Sequence, residues 1–166
     1  MKNYNILLNT CCAPCATVAL EQLSGEHEFT IYFWGNNIHP QEEYKKRLDA
    51  VLILSPDAII APYEQIQPKT CEQCFETRLR VSAEFAKQNG FDYFATTLST
   101  SPHKPAELIN QTGEKIAKEY NIKYLPTNFK KNDGFSRSVA ISKQLGLYRQ
   151  NYCGCEQSSQ RKPDIK

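Results

Sequence analysis

Apolar and polar positions along this chain alternate between two rhythms. Residues 6–8 form a short apolar run, and Pro14 then opens a helical stretch carrying Val18, Leu20 and Leu23, stopped at Ser24-Gly25. Residues 29–34 are aromatic and β-branched, a strand signature closed by Gly35-Asn36-Asn37. Residues 41–54 place Tyr44, Leu48, Val51 and Leu54 at helical spacing with charges elsewhere, and Ser55-Pro56-Asp57 turns the chain into a short apolar strand at 58–61. The pattern then predicts a helix over 74–88, a strand over 93–98 with a loop at 99–102, a helix over 106–120 weakened by Gly113, a strand over 123–125 and a helix over 135–145 before Gly146. Five strands alternating with five helices predict a single-domain α/β fold, a mostly parallel sheet with helices on both faces, Rossmann-like or HUP-like. In such sheets ligands collect beyond the carboxyl ends of the strands, at the switch point. The loops after the strands hold nearly all the unusual residues: Cys11-Cys12, Asn36 to His39, Cys71 to Cys74, Ser99 to Lys104 and Asn128 to Gly134.

Composition narrows the classes. The length of 166 residues suits one domain with a real core, expected as an α/β catalytic domain over 1–152 and a tail over 153–166. A formal charge of +2 selects no partner by itself. With no long apolar run and no signal-peptide pattern at Met1-Lys2-Asn3-Tyr4, a cytoplasmic protein without a membrane partner is expected. Seven cysteines, an odd number, then read as metal ligands or redox groups rather than structural disulfides.

Three of those thiols lie in Cys11-Cys12-Ala13-Pro14-Cys15, where a strand gives way to a helix N-terminus. The positive backbone field there is expected to favour thiolate, the form that binds metal and attacks disulfides. Cys71-Glu72-Gln73-Cys74 at a helix start serves either as a metal pair or as a redox dithiol. Combined with Cys11 and Cys12 it supplies the four thiolates of an iron–sulfur cluster, and a structural zinc site would also accept four. Cys153-Gly154-Cys155, with its permissive glycine, suits a strained two-electron dithiol. Between 121 and 152, six basic residues (Lys123, Lys130, Lys131, Arg137, Lys143 and Arg149) face one acid, Asp133, a strip suited to phosphate contacts or an ordinary solvated face.

Several longer blocks carry a resemblance. They are Cys11-Cys12-Ala13-Pro14-Cys15, Asn37-Ile38-His39-Pro40 with Glu43-Tyr44 and Arg47-Leu48, Cys71-x-x-Cys74-Phe75, Thr96-Thr97-Leu98, Ser101-Pro102-His103-Lys104, Phe135-Ser136-Arg137-Ser138, and the run from Gly146 to Cys155. In this order, across nearly the whole chain, the sequence resembles the cobalamin-independent epoxyqueuosine reductases, iron–sulfur enzymes of tRNA queuosine synthesis. The segment between Asp49 and Cys71 is shorter than is usual in that family.

The resemblance implies a 4Fe–4S cluster on Cys11, Cys12, Cys71 and Cys74, an additional iron for which Cys15 is a natural ligand, and a redox-active pair at Cys153 and Cys155. It implies a tRNA substrate with a queuosine-type anticodon, an unidentified electron donor, and reduction of an epoxide with two electrons, two protons and loss of water. Charge developing on the epoxide oxygen would be met by an iron on Cys15 or by an acid such as His39, His103 or Tyr148. Lys130, Lys131, Arg137 and Arg149 would hold RNA, with Tyr32, Trp34, Asn36, Asn37 and Phe135 available to a splayed base. A non-catalytic metal-binding or redox-sensing module remains a second reading. A tRNA thiolation enzyme is a third, but its Ser-Gly-Gly-x-Asp-Ser loop is replaced here by Asn9-Thr10-Cys11-Cys12.

Overall fold

A computed structural model describes residues 2–155, so the expected tail beyond Cys155 lies outside the described residues. The elements run β1 (Asn5–Thr10), α1 (Ala13–Leu23), β2 (Glu28–Phe33), α2 (Gln41–Leu54), β3 (Ile59–Ile60), α3 (Cys71–Gln88), β4 (Tyr93–Thr96), a 3-10 turn (Leu98–Thr100), α4 (Ala106–Tyr120), β5 (Lys123–Tyr124) and α5 (Gly134–Gln144). The strands form one sheet in the order β3-β2-β1-β4-β5, every pairing parallel. The α/β architecture expected from the alternating pattern is the one observed.

Strand alternation divides β1 between two layers. Leu7 packs with Leu79 and Ala83 of α3 and Ile109 and Ile116 of α4, whereas Ile6 and Leu8 meet Val18 and Ala19 of α1. A further cluster joins Ala13 and Ala16 to Ala50 and Val51 of α2 and to Leu147, so α1 and α2 share the second face. α5 lies against α1. Leu7, Leu8, Phe33 and Phe94 are fully buried, and each such side chain contributes about 1.5–3 kcal/mol through apolar burial.

From β1 the chain steps outward through α1 to β2 and through α2 to β3, then crosses back through α3 to β4 on the other side of β1. The switch point therefore falls between the carboxyl ends of β1 and β4. Cys11 and Cys12 follow β1 there, and Thr97 follows β4, its amide donating to the Asn9 carbonyl at 3.0 Å.

Of the boundaries that differ from the sequence pattern, two matter at this edge. α3 begins at Cys71, three residues early, because the Thr70 side chain accepts the Gln73 amide at 3.1 Å while Gln73 Oε1 accepts the Lys69 amide at 3.0 Å. This reciprocal cap satisfies orphan donors of the first turn and fixes Cys71 and Cys74 on one helical side. The fourth strand stops at Thr96, whose Oγ1 accepts the Leu98 amide at 3.2 Å and winds the chain into the 3-10 turn. Among the described residues no helix is long and apolar enough to cross a membrane.

A thiol-lined candidate active site

At the switch-point edge, Cys71, Cys74, Cys153 and Cys155 line one narrow cavity with Arg78 and Lys104. Cys71 is exposed at its rim, while Cys74, Cys153 and Cys155 are half-buried. Helix spacing explains the inner wall, because Cys71, Cys74 and Arg78 recur at three- and four-residue intervals along α3. A broader groove of about 580 Å³ opens beside Lys87, Glu114 and Lys123, but it lies at the amino-terminal edge of the sheet and carries no thiol.

Arg78 organises this wall. It is 2% exposed, stacks on Trp34 with 4.8 Å from its guanidinium carbon to the ring centre, and donates from Nη1 to the Trp34 carbonyl at 2.9 Å. Its Nη2 donates to Asn37 Oδ1, which leaves the Asn37 amide nitrogen to donate to Cys74 Sγ at 3.1 Å. The Asn37 orientation is thus set by the arginine. The buried Nε of Arg78 is left without an acceptor.

The thiols of the first loop form a second group. Cys11 and Cys12 are buried and Cys15 half-buried. Cys11 donates to Cys12, which together with burial pushes the Cys11 thiol well up. Cys12 gains acidity by accepting from Cys11, but its own bond to Cys15 and its burial outweigh this and push it up to about 11. Cys15 stands at the accepting end and is lowered by the Cys12 contact against the effect of burial. The expected thiolate character at the start of α1 is therefore confined to Cys15. Cys12 is the N-cap residue of α1.

On the opposite wall, Cys153 accepts from Cys155, which lowers it well below the ordinary thiol range; burial opposes this, and Lys104 and Arg78 reinforce it. Lys104 stays cationic: burial works against its charge, and the facing thiols of Cys153, Cys11 and Cys15 more than offset that. The Lys104 ammonium and the Arg78 guanidinium both act on Cys11 as well, so the two cations join the first loop to the cavity.

Among the described residues no three histidine, cysteine or carboxylate side chains meet where one metal ion would sit. A structural zinc site takes four donors converging on one ion, with sulfur at about 2.3 Å. A four-iron cluster asks for something else, one thiolate at each of four corners, so its ligands ring a cage. Two cysteine pairs, one in the loop after β1 and one in the first turn of α3, flanked by two cations and an unpartnered guanidinium N–H, fit an anionic cluster of that kind.

Similarity to known proteins accords with this geometry. The family model described as "Epoxyqueuosine reductase QueH" matches residues 6–65 and 58–161. The chain belongs to the epoxyqueuosine reductase QueH family. The two matched stretches overlap over 58–65, in the segment between α2 and α3 that is short in the sequence. A QueH protein of Streptococcus pyogenes serotype M1 is 39% identical over 175 residues, spanning 91% of this chain and 69% of the relative. One of Staphylococcus aureus is 38% identical over 176 residues (90% and 73%), and one of Thermotoga maritima 33% identical over 171 (90% and 88%). Each is named an epoxyqueuosine reductase. Membership of this QueH family makes the chain an oxidoreductase and sets aside the non-catalytic and thiolation readings.

The remaining candidates fall in varied places. His39 is buried, its ring held between Gln65 and the Ile66 carbonyl, and it is not among the residues lining the thiol cavity. Tyr148 donates to Glu43 Oε2 at 2.6 Å, and burial, followed by that bond, pushes its hydroxyl up to about 12. His103 is exposed, one residue before Lys104. Lys130 donates to the Lys104 carbonyl at 2.6 Å and is lowered by burial. Arg137 pairs with Glu21 and donates to the Asn132 carbonyl at 3.2 Å, whereas Lys131 and Arg149 are exposed. Tyr32 and Trp34 lie in the core. Sequence reasoning missed Arg78 as part of this cavity, although its place four residues after Cys74 was the available signal. It also left Arg47 and Lys104 unassigned.

Proposed function

We propose that this protein reduces the epoxide of epoxyqueuosine in tRNA to the cyclopentene of queuosine, acting in the cytoplasm with electrons from a donor still to be identified. The observation that carries the reading is the convergence of Cys71, Cys74, Cys153 and Cys155 on one cavity beside Arg78 and Lys104, next to the Cys11-Cys12-Cys15 loop. Cys11, Cys12, Cys71 and Cys74 would hold a 4Fe–4S cluster, which would supply single electrons, and an additional iron held by Cys15 would supply a Lewis acid. Cys153 and Cys155 would supply the balancing pair. Two thiols join in one S–S bond and release two electrons and two protons, and the epoxide takes these up as its C–O bonds break, the alkene forms and water leaves.

The protein's own groups have distinct parts in this scheme. Arg78 and Lys104 place two positive charges where negative charge develops on the epoxide oxygen, the kind of preorganised stabilisation that lowers a barrier most. Asn37 orients Cys74 through its hydrogen bond to Sγ. His103 stands on the Lys104 loop as a candidate proton donor, and exposed Lys131 and Arg149 are the basic residues available to RNA phosphates. Residues 153–166 serve as the redox segment, of which the first three are described.

The test is anaerobic purification with a visible spectrum and counts of iron and sulfide. A brown protein bleached by dithionite is expected, colourless after Cys71→Ala or Cys74→Ala. Cys153→Ser with Cys155→Ser should keep the iron and lose turnover. A colourless parent carrying one zinc would overturn the cluster, and loss of iron from the double serine variant would overturn the division into two pairs.

A further inference from the structure

Arg47 is 1% exposed and does not line the thiol cavity. Its guanidinium is committed to three acceptors: Nε donates to Glu43 Oε1 at 2.8 Å, Nη1 to the Cys153 carbonyl at 2.9 Å and Nη2 to the Tyr152 carbonyl at 2.8 Å. The contacts continue around the same turn. The Gly154 carbonyl accepts the His39 amide at 2.7 Å, and the Tyr152 hydroxyl donates to the His39 carbonyl. Gly154 lies flat on the guanidinium at φ +107, where an added Cβ would stand 2.8 Å from Nη1. Both the left-handed backbone and the lack of space call for glycine.

A buried arginine is expensive to place in a core, and its charge needs acceptors of fixed geometry. Here those acceptors are consecutive carbonyls of a segment more than a hundred residues away in sequence, and that segment carries two thiols into the cavity. An ordinary helix-to-core anchor would use apolar contacts. The fork of an arginine instead fixes position and orientation together.

We propose that Arg47, oriented by Glu43, is a positioning residue that seats the Cys153-Gly154-Cys155 turn against the cavity and so fixes where the terminal dithiol meets the substrate. The proposal rests on the reading of Cys153 and Cys155 as the redox pair. Glu43 sets the guanidinium plane, Arg47 holds the backbone on one side, and His39 holds it through its amide and carbonyl on the other. The core role of His39 in this account is structural, through its main chain.

The experiment uses full-length protein with its native metal content and two variants, Arg47→Lys and Gly154→Ala. Lysine keeps the charge without the fork, and Gly154 lies beyond the last helix, so its variant leaves the core intact. Two quantities are read: the iodoacetamide labelling rates of Cys153 and Cys155 resolved by mass spectrometry, and steady-state turnover on the RNA substrate. Labelling should quicken, and kcat should fall on the order of tenfold to a hundredfold with KM for RNA unchanged, as expected when a reacting group is displaced by an ångström or so. The iron content should match that of the parent.

If Gly154→Ala labels at the parental rate, Arg47 does not seat the turn and the proposal fails. If labelling quickens while kcat holds, the seating is irrelevant to turnover and the proposal fails as well. Parental turnover in a Cys153→Ser, Cys155→Ser protein would instead overturn the redox reading, and it is distinguishable because the labelling rates of the clasp variants do not depend on it.

Discussion

Replacing Glu43 by alanine tests how much of the Arg47 arrangement depends on the carboxylate that Nε meets. Glu43 is 6% exposed and Arg47 1%, with 2.8 Å between Oε1 and Nε, so this is a buried pair in which solvent cannot replace the lost carboxylate. Removing one partner of such a pair costs about 3–5 kcal/mol, because the surviving charge stays buried. Arg47 retains the Tyr152 and Cys153 carbonyls, which places the expected loss at the lower end, about 3 kcal/mol. The Tyr148 hydroxyl also loses its acceptor, but it is half-buried and water substitutes, adding at most about 1 kcal/mol. Against a total stability of about 5–15 kcal/mol this is a large fraction. Anaerobic urea unfolding followed by circular dichroism, at matched metal content, reads it directly. With a slope of about 2 kcal/mol per molar, the midpoint should fall by about 1.5 M. Adding Arg47→Met in the same chain should recover part of that loss, since an apolar replacement for both partners removes the uncompensated charge. A midpoint shift under about 0.5 M, with no recovery in the double variant, would refute the argument that the guanidinium depends on Glu43.

Three further outcomes follow from the same structure. The Tyr148 hydroxyl is raised by burial and Glu43 from 10.0 to about 12, so its contribution is complete below pH 10 and is lost as pH rises toward 12; Tyr148→Phe should flatten the stability loss in that window, measured by urea midpoints across alkaline pH. Lys131→Ala should reduce the slope of log affinity for the tRNA against log salt by about one, whereas Arg137→Ala, whose guanidinium already pairs with Glu21, should leave it unchanged; filter binding from low to moderate salt decides. Gly113→Ala should destabilise by about 1–3 kcal/mol despite alanine's better helix propensity, because its Cβ would lie 2.5 Å from the Tyr124 ring; a midpoint at or above that of the parent would contradict this.

The sequence by itself determined the layer architecture, because apolar periodicity reports burial one element at a time. The strands after Pro56 and before Gly35, the helix from Gln41 to Leu54 and the α/β order all follow from local pattern, and the order places the thiol loops at one edge of the sheet. Local pattern also contained the cap that starts α3 at Cys71, since Thr70 stands three residues before Gln73. Only the tertiary structure decided the rest. The upward shifts of Cys11 and Cys12 come from their contacts with each other and with Cys15 and from burial, none of which sequence shows. Whether Arg137 is available to RNA depends on Glu21, 116 residues away, and whether Arg78 shapes Cys74 depends on Asn37 arriving from another loop. Arg47 is the sharpest case. In sequence it is the last of three consecutive basic residues on an amphipathic helix, and it acquires its role only when Cys153 and Gly154 are brought onto it from 106 and 107 positions away. Charge and hydrogen bonding act through distances in space, and along the chain those distances have no local signature.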